Sequence, residues 1–245
     1  MSSLDSISMR NVAAKGAIVQ VGTNGPVAIR LRYIGTGTVT SVTTTTATNI
    51  VMVTSTHTQT FPFAAGLTLN TVGKLVDAIN SGNCTEAAGG QLFEAKVLDT
   101  LRSYATTSKF VAGAITSSTL EGETIWDVLV DTDVAKYFAC RLTSDRSFEG
   151  ITPGNRRVHL KELSYFATLG GAAANSVLIY DVKGSVETQL FGALSVSATA
   201  TTINWANGEG YITAEEGHDI VVILTDAVTL ANAAANYLYI SGVVE

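Results

Sequence analysis

The sequence predicts a mainly β protein: an N-terminal α+β sheet domain with one short helix, then a C-terminal β-sandwich or jelly-roll-like domain. Three observations predict it. Runs rich in Val, Ile and Thr recur along the chain, and β-branched side chains suit a pleated surface better than a helix. Several runs alternate apolar and polar residues with period two. One segment has the helical period instead.

Residues 1–15 are polar and aperiodic and read as an N-terminal arm. The assembly domain is expected over residues 16–149 and the sandwich over 150–245. Asn24-Gly25 suggests a tight hairpin turn between Ala17–Val21 and the next strand. In that strand Val27, Ile29, Leu31 and Tyr33 alternate with Ala28, Arg30 and Arg32, so one face is apolar and the other polar. Pro26 stands at its start, where a missing N–H is tolerated. Gly35-Thr36-Gly37 turns the chain, and Thr38–Thr48 and Asn49–Thr54 read as short strands.

Val72, Leu75, Val76 and Ile79 fall on one helical stripe, which predicts a short helix over Thr71–Ser81 covering a sheet face. Asn70 or Thr71 can cap its start and Gly82 can end it. Leu92–Leu98 and Lys109–Ala114 read as strands. Thr116–Thr143 is ambiguous, because Ile125, Trp126, Val128, Leu129 and Val130 fit strand or helix equally. Gly150, Pro153 and Gly154 punctuate Phe148–Asn155 and place the domain boundary there. Beyond it Val158–Phe166, Ser176–Val182, Val186–Leu194, Tyr211–Ala214, Asp219–Thr225 and Tyr237–Val244 are apolar or alternating, with Lys183-Gly184 as a hairpin turn. Regularly spaced strands of this kind imply a sandwich or jelly roll.

The order of features in the first half is specific. Ile29–Tyr33 leads to Gly35-Thr36-Gly37-Thr38, a Thr/Val-rich strand pair and then Lys74-Leu75-Val76-Asp77-Ala78-Ile79-Asn80. This resembles a module of tailed-bacteriophage virion proteins. Ser176–Asp181 and Ile212–Thr225 look like strands of the small sandwiches in phage head-decoration, baseplate and fibre proteins. The resemblance covers roughly residues 25–100 and 157–245, and Leu98–Ser147 has no counterpart in it. It implies a symmetric assembly subunit, with a trimer among the implied symmetries, and it carries no catalytic residues.

Composition agrees with an assembly role. The 245 residues fit one large or two ordinary domains. Charged residues make up 15 %, against about 25 % in an average globular chain. Burial of neutral surface against neighbouring copies is one way to use so uncharged a chain. A net charge of −6, with Arg156-Arg157 and Lys161 as the tightest basic group, gives no stripe for nucleic acid. Met1–Val12 lacks an apolar core for export, and no run of about 18 apolar residues occurs. The chain is therefore expected to be made in a cytosol, with no membrane partner, and the resemblance to phage proteins implies the virion, after synthesis in the host cytoplasm, as its location.

Sequence motifs for chemistry are sparse. His57, His159 and His218 have no metal-ligand spacing. Asp127, Asp131 and Asp133 offer oxygen atoms, but the calcium-loop pattern is missing and a solvated acidic loop is expected. Glu215-Glu216 precedes Gly217 and reads as a turn. Cys84 and Cys140 form no CxxC and have no His nearby in sequence. No nucleophile elbow or phosphate loop occurs. Trp205, set among turn-forming Asn204 and Asn207, is the candidate interface anchor, with Trp126 as the second. No cofactor and no metal are expected, and the chain reads as non-enzymatic. The functional expectation is a capsid decoration or cement protein whose partners are the major capsid protein or other virion proteins and further copies of itself. The alternative is a tail, baseplate or short-fibre component that binds a receptor or carbohydrate through aromatics around Trp205 or Trp126. An enzyme would need two carboxylates about 5–10 Å apart in a cleft.

Overall fold

A computed structural model describes residues 26–45, 48–64, 66–85, 89–106, 109–115, 117–120, 122–131, 137–144, 152, 154–166, 176–190, 192–195, 200–205, 211–225 and 237–244. These are 57 % strand and 6 % helix, so the fold is mainly β. The expected arm and the hairpin through Asn24-Gly25 lie outside them. The described chain forms two compact units, one within residues 24–135 and one within 136–245.

In the first unit one sheet has the order β5-β1-β8-β7, made of Phe93–Val97, Val27–Tyr33, Glu123–Leu129 and Ser117–Leu120. The second has the order β4-β3-β2-β6, made of Thr58–Pro62, Asn49–Thr54, Val39–Thr45 and Gly113–Ala114. All pairings are antiparallel. In β1 the expected alternation puts Ile29 and Leu31 in the core. Arg30 and Arg32 face the other way, yet they are half-buried, because each is gripped by carboxylates on the flanking strands.

The helix α1 (Val72–Ser81) follows its sequence signals closely. Thr71 caps it by accepting the Lys74 N–H at 3.3 Å. Gly82 ends it at φ 66°, where a Cβ would run into the Gly90 backbone. Its buried stripe of Val72, Leu75, Val76 and Ile79 packs on β5 and reaches β1 and β4. The helix thus covers parts of both sheets.

One edge strand is plugged by a side chain. Asn80, in the last turn of α1, donates to the Ala95 carbonyl at 2.9 Å and accepts the Ala95 N–H at 2.7 Å. Its amide imitates a neighbouring strand at the middle of β5, where the backbone would otherwise be left unsatisfied.

The second unit is a β-sandwich, as the sequence predicts. One layer has the order β12-β11-β16-β9, built from Val186–Gln189, Ser176–Lys183, Asp219–Thr225 and Tyr137–Leu142, with β13 (Leu194–Ser195) also on β11. The other centres on β10 (Val158–Phe166), paired along its length with β17 (Tyr237–Val244). Its opposite edge takes β14 (Ala200–Asn204) and β15 (Ile212–Thr213). Both layers supply one buried core that includes Phe138, Cys140, Leu160, Ile179, Val222 and Ile240.

Several expectations shift. The division between units falls at Ala135/Lys136, ahead of Phe148–Asn155, because β9 pairs with β16 over Tyr137–Leu142 and belongs to the sandwich. The ambiguous stretch resolves into strands β7, β8 and β9, with Gly122 at φ 85° in the turn joining the first two. Lys109–Ala114 is strand only at Gly113–Ala114. The Lys183-Gly184 turn moves by one residue, since Lys183 pairs with Val186 and Gly184, at φ 58°, is the first turn residue. β14 is an additional strand.

Replacing Asn80 by Ala should lower stability by about 1–3 kcal/mol, the usual cost of stranding buried backbone groups. Hydrogen exchange should show faster loss of protection at the Ala95 amide; unchanged protection there would contradict the plug.

Candidate functional site

The first unit carries an open cleft of about 600 Å³. Arg32 and Tyr33 from β1, with Glu123, Thr124 and Trp126 from β8, form one side. Ser117 of β7, which pairs with Trp126, belongs to the same side; Gly37 and Thr38 just before β2, Val39 and Thr40 at its start, and Ile115 form the rest. The cleft exists because β6 pairs with β2 only at Thr43 and Thr44. No strand pairs with that edge of β2 over Val39–Thr40 among the described residues.

Arg32 organises the polar wall. It donates to Glu123 at 2.7 Å across one strand boundary and to Glu94 across the other. Its hydrogen bonds to Glu123 and then to Glu94 raise the arginine's pKa further above its already high value, against the opposing effect of burial. Arg30 makes a parallel bridge to Asp127, with Nε at 2.7 Å and Nη2 at 2.9 Å. Of the two carboxylates that Arg32 holds, only Glu123 lines the cleft. They are partners of one guanidinium, not an acid and a base facing each other across a substrate.

Aromatic rings make the floor rigid. Trp126 is 7 % exposed and meets Phe93 edge-on, centroids 6.0 Å apart at 74°. Tyr33 packs on Phe93 at 5.2 Å and donates its hydroxyl to the Thr36 carbonyl at 2.7 Å.

Two buried polar networks with carboxylates stand among the described residues of the sandwich. Asp219 accepts from Arg141 at 3.0 Å, from the Thr152 hydroxyl at 2.6 Å and from the Thr152 N–H at 3.1 Å. Arg141 and Asp219 side chains are only 7 % and 5 % exposed. Thr152 also accepts the Ser144 N–H at 3.1 Å, so this network fastens the segment after β9 to β16. At the sandwich end Asp181 pairs with His218 Nδ1 and accepts the Glu215 N–H at 2.9 Å. His218 Nε2 faces Glu215 at 3.9 Å. This is a clamp on the turn before β16.

The residues singled out in sequence fare unevenly. Asn204 is exposed on β14, but Trp205 is half-buried against the sandwich core, its N–H bonded to the Lys161 carbonyl at 2.9 Å. Turn-forming neighbours suggested exposure; the ring instead turns inward because β14 continues alongside β10. Asn207 lies outside the described residues. Trp126 is a core residue rather than an exposed anchor, although it reaches the cleft floor. Asp127 sits on a strand bound to Arg30 instead of in an acidic loop, while Asp133 is outside the described residues. Among the described residues no group of three or more His, Cys, Asp and Glu side chains gathers at metal-binding distance. Neither cysteine is in a disulfide. Sequence reasoning missed Arg32, Glu123 and the cleft itself; its one signal was a pair of arginines on a strand of an otherwise weakly charged chain.

No protein family matches the chain, and no curated protein matches it. Solved structures give distant likenesses. One is the Drosophila NLP core, described for pentamer formation and histone binding, at 16 % identity and TM-score 0.24, covering 44 % of this chain and 97 % of that one. Another is the insecticidal δ-endotoxin Cry8Ea1 of Bacillus thuringiensis, at 8 % identity and TM-score 0.23, covering 89 % of this chain and 52 % of that one.

Two outcomes follow. Asp219→Ala should cost about 3–5 kcal/mol in urea denaturation, because Arg141 is left buried without its carboxylate. Replacing both residues by Met and Leu should cost clearly less than the single change, and equal losses would show that the ion pair itself stabilises. The second outcome concerns Tyr180 on β11, whose phenol is pushed up first by burial and then by the negative charge of Glu187. The folded state therefore favours the neutral phenol. That contribution is complete below the unfolded value of about 10 and is lost as pH rises through the raised folded value. Tyr180→Phe should flatten the fall of stability above about pH 10, and identical slopes would count against it.

Proposed function

We propose that this chain is a non-enzymatic structural subunit of a tailed-phage particle, most simply a decoration or cement protein on the capsid. The observation that carries the reading is the disposition of charge. Arg30, Arg32, Arg102 and Arg141 all bind carboxylates of their own unit, so these cations are engaged within the fold. The outward faces left between them are rich in Thr and Ser, as in β2 and β7. Neutral sheet surface of this kind suits repeated contact between copies, where charges in an interface centre are disfavoured. The order of motifs along the sequence, from Ile29–Tyr33 to Ala78-Ile79-Asn80 and again through Ser176–Asp181, supports the phage assignment. In this role the partners are the major capsid protein and further copies of the chain.

Mass spectrometry of separated heads and tails from purified particles tests the position. The chain should be found with heads in many copies. Recovery in tails alone would move it to the tail, baseplate or fibre, and absence from both would end the virion reading. Light scattering on the purified chain should give a closed oligomer such as a trimer; a monomer at high concentration would remove self-association from the proposal.

A further inference from the structure

We propose that the cleft of the first unit is a binding site for a neutral, hydroxyl-rich ligand, the chemistry of an oligosaccharide. The assignment goes beyond the assembly role and does not depend on where the chain sits in a particle.

Size permits it, since a cleft of about 600 Å³ lies within the usual range for small-ligand sites. Charge selects the ligand class. Arg32 is the cation of the lining and is held by both Glu123 and Glu94, so the local balance is neutral to negative. An anionic ligand would meet Glu123 without gaining an uncommitted cation. A neutral ligand can bridge the ion pair, donating to the carboxylate and accepting from the guanidinium.

The remaining lining fits the same chemistry. Thr38 and Thr40 on one side and Ser117 and Thr124 on the other are exposed hydroxyls, each able to donate and accept. Sugar hydroxyls have the same dual capacity. Tyr33, half-buried and fixed by Phe93, adds some ring carbon to the lining, while Trp126 is 7 % exposed and only closes the floor beneath it. A site whose anchors are already immobile loses little on binding. The edge of β2 at Val39–Thr40 adds backbone groups within the same cleft.

Two features together carry the inference: a neutralised ion pair in the lining and a group of exposed hydroxyls beside it. An extended peptide added to the β2 edge is the rival occupant. It would use the backbone groups and would not need Glu123.

The test uses the full chain, with titration calorimetry and saturation-transfer NMR against maltohexaose, fully N-acetylated chitohexaose and mannohexaose, and a heparin hexasaccharide as anionic comparison. At least one neutral hexasaccharide should bind with a Kd of about 1 mM or tighter. Glu123→Ala should weaken it about tenfold or more. Thr40→Trp and Ser117→Trp, at exposed rim positions, should block it by filling the cleft. Val186→Thr, on the other unit, should leave it unchanged. Each variant is read only with an unfolding curve matching the parent. The proposal is overturned if no neutral hexasaccharide binds, if binding survives both rim tryptophans, or if heparin binds more tightly. Capture of strand-forming peptides with no sugar binding would overturn it in favour of the rival.

Discussion

Arg32 holds Glu94 on the strand to one side of it and Glu123 on the strand to the other, and the first unit is organised around that grip. The guanidinium spans three adjacent strands. Arg30 makes the equivalent link to Asp127 two positions earlier on the same face. Cross-strand pairs of opposite charge contribute modestly each, about 0.2–1 kcal/mol, but they oppose a register slip that would exchange the faces of β1. With register fixed, Ile29 and Leu31 meet the core and Trp126 and Tyr33 come to one end of the sheet. The cleft is the gap left where β2 runs beyond the reach of β6.

The sandwich solves a different problem. β16 is buried on both faces: Ile220, Val222 and Leu224 enter the shared core, while Val221 and Ile223 on the reverse face are also fully covered. An ion pair on that reverse face has no water to solvate it, so Asp219 gathers three donors rather than one. Such an arrangement is weak support for net stability, because desolvation offsets much of the attraction. Its physical effect is positional. It fixes Ser144 and Thr152, between β9 and β10, against Asp219 of β16.

Legibility in the sequence followed the range of the interaction. α1 was readable almost to the residue, because Thr71, the Val72–Ile79 stripe and Gly82 are local signals. β10, β16 and β17 were readable because their apolar runs are long. β8 was not, since Ile125–Leu129 shows no clean period and only pairing with β1 decides it. β14 escaped notice because Ala200–Asn204 has one large apolar residue, Ile203. Trp205 misled because its neighbours favour turns while its ring has a core to join. The cleft was least readable of all: Arg32 and its two carboxylates lie 62 and 91 positions apart in the chain. Nothing short of strand order brings them together.

The assignment of Tyr137–Leu142 to the sandwich also has a consequence for synthesis. Its opening strand pairs with Ile220–Thr225, and the following strand, Val158–Phe166, pairs with Tyr237–Val244. Early segments of this unit therefore wait for the last ones to leave the ribosome. Among the described residues, the strands of the first unit have all their pairing partners once Val130 has emerged. During translation the nascent chain thus carries one finished body ahead of a stretch of unpaired apolar strands, and in that interval a chaperone or a neighbouring nascent chain has most to hold.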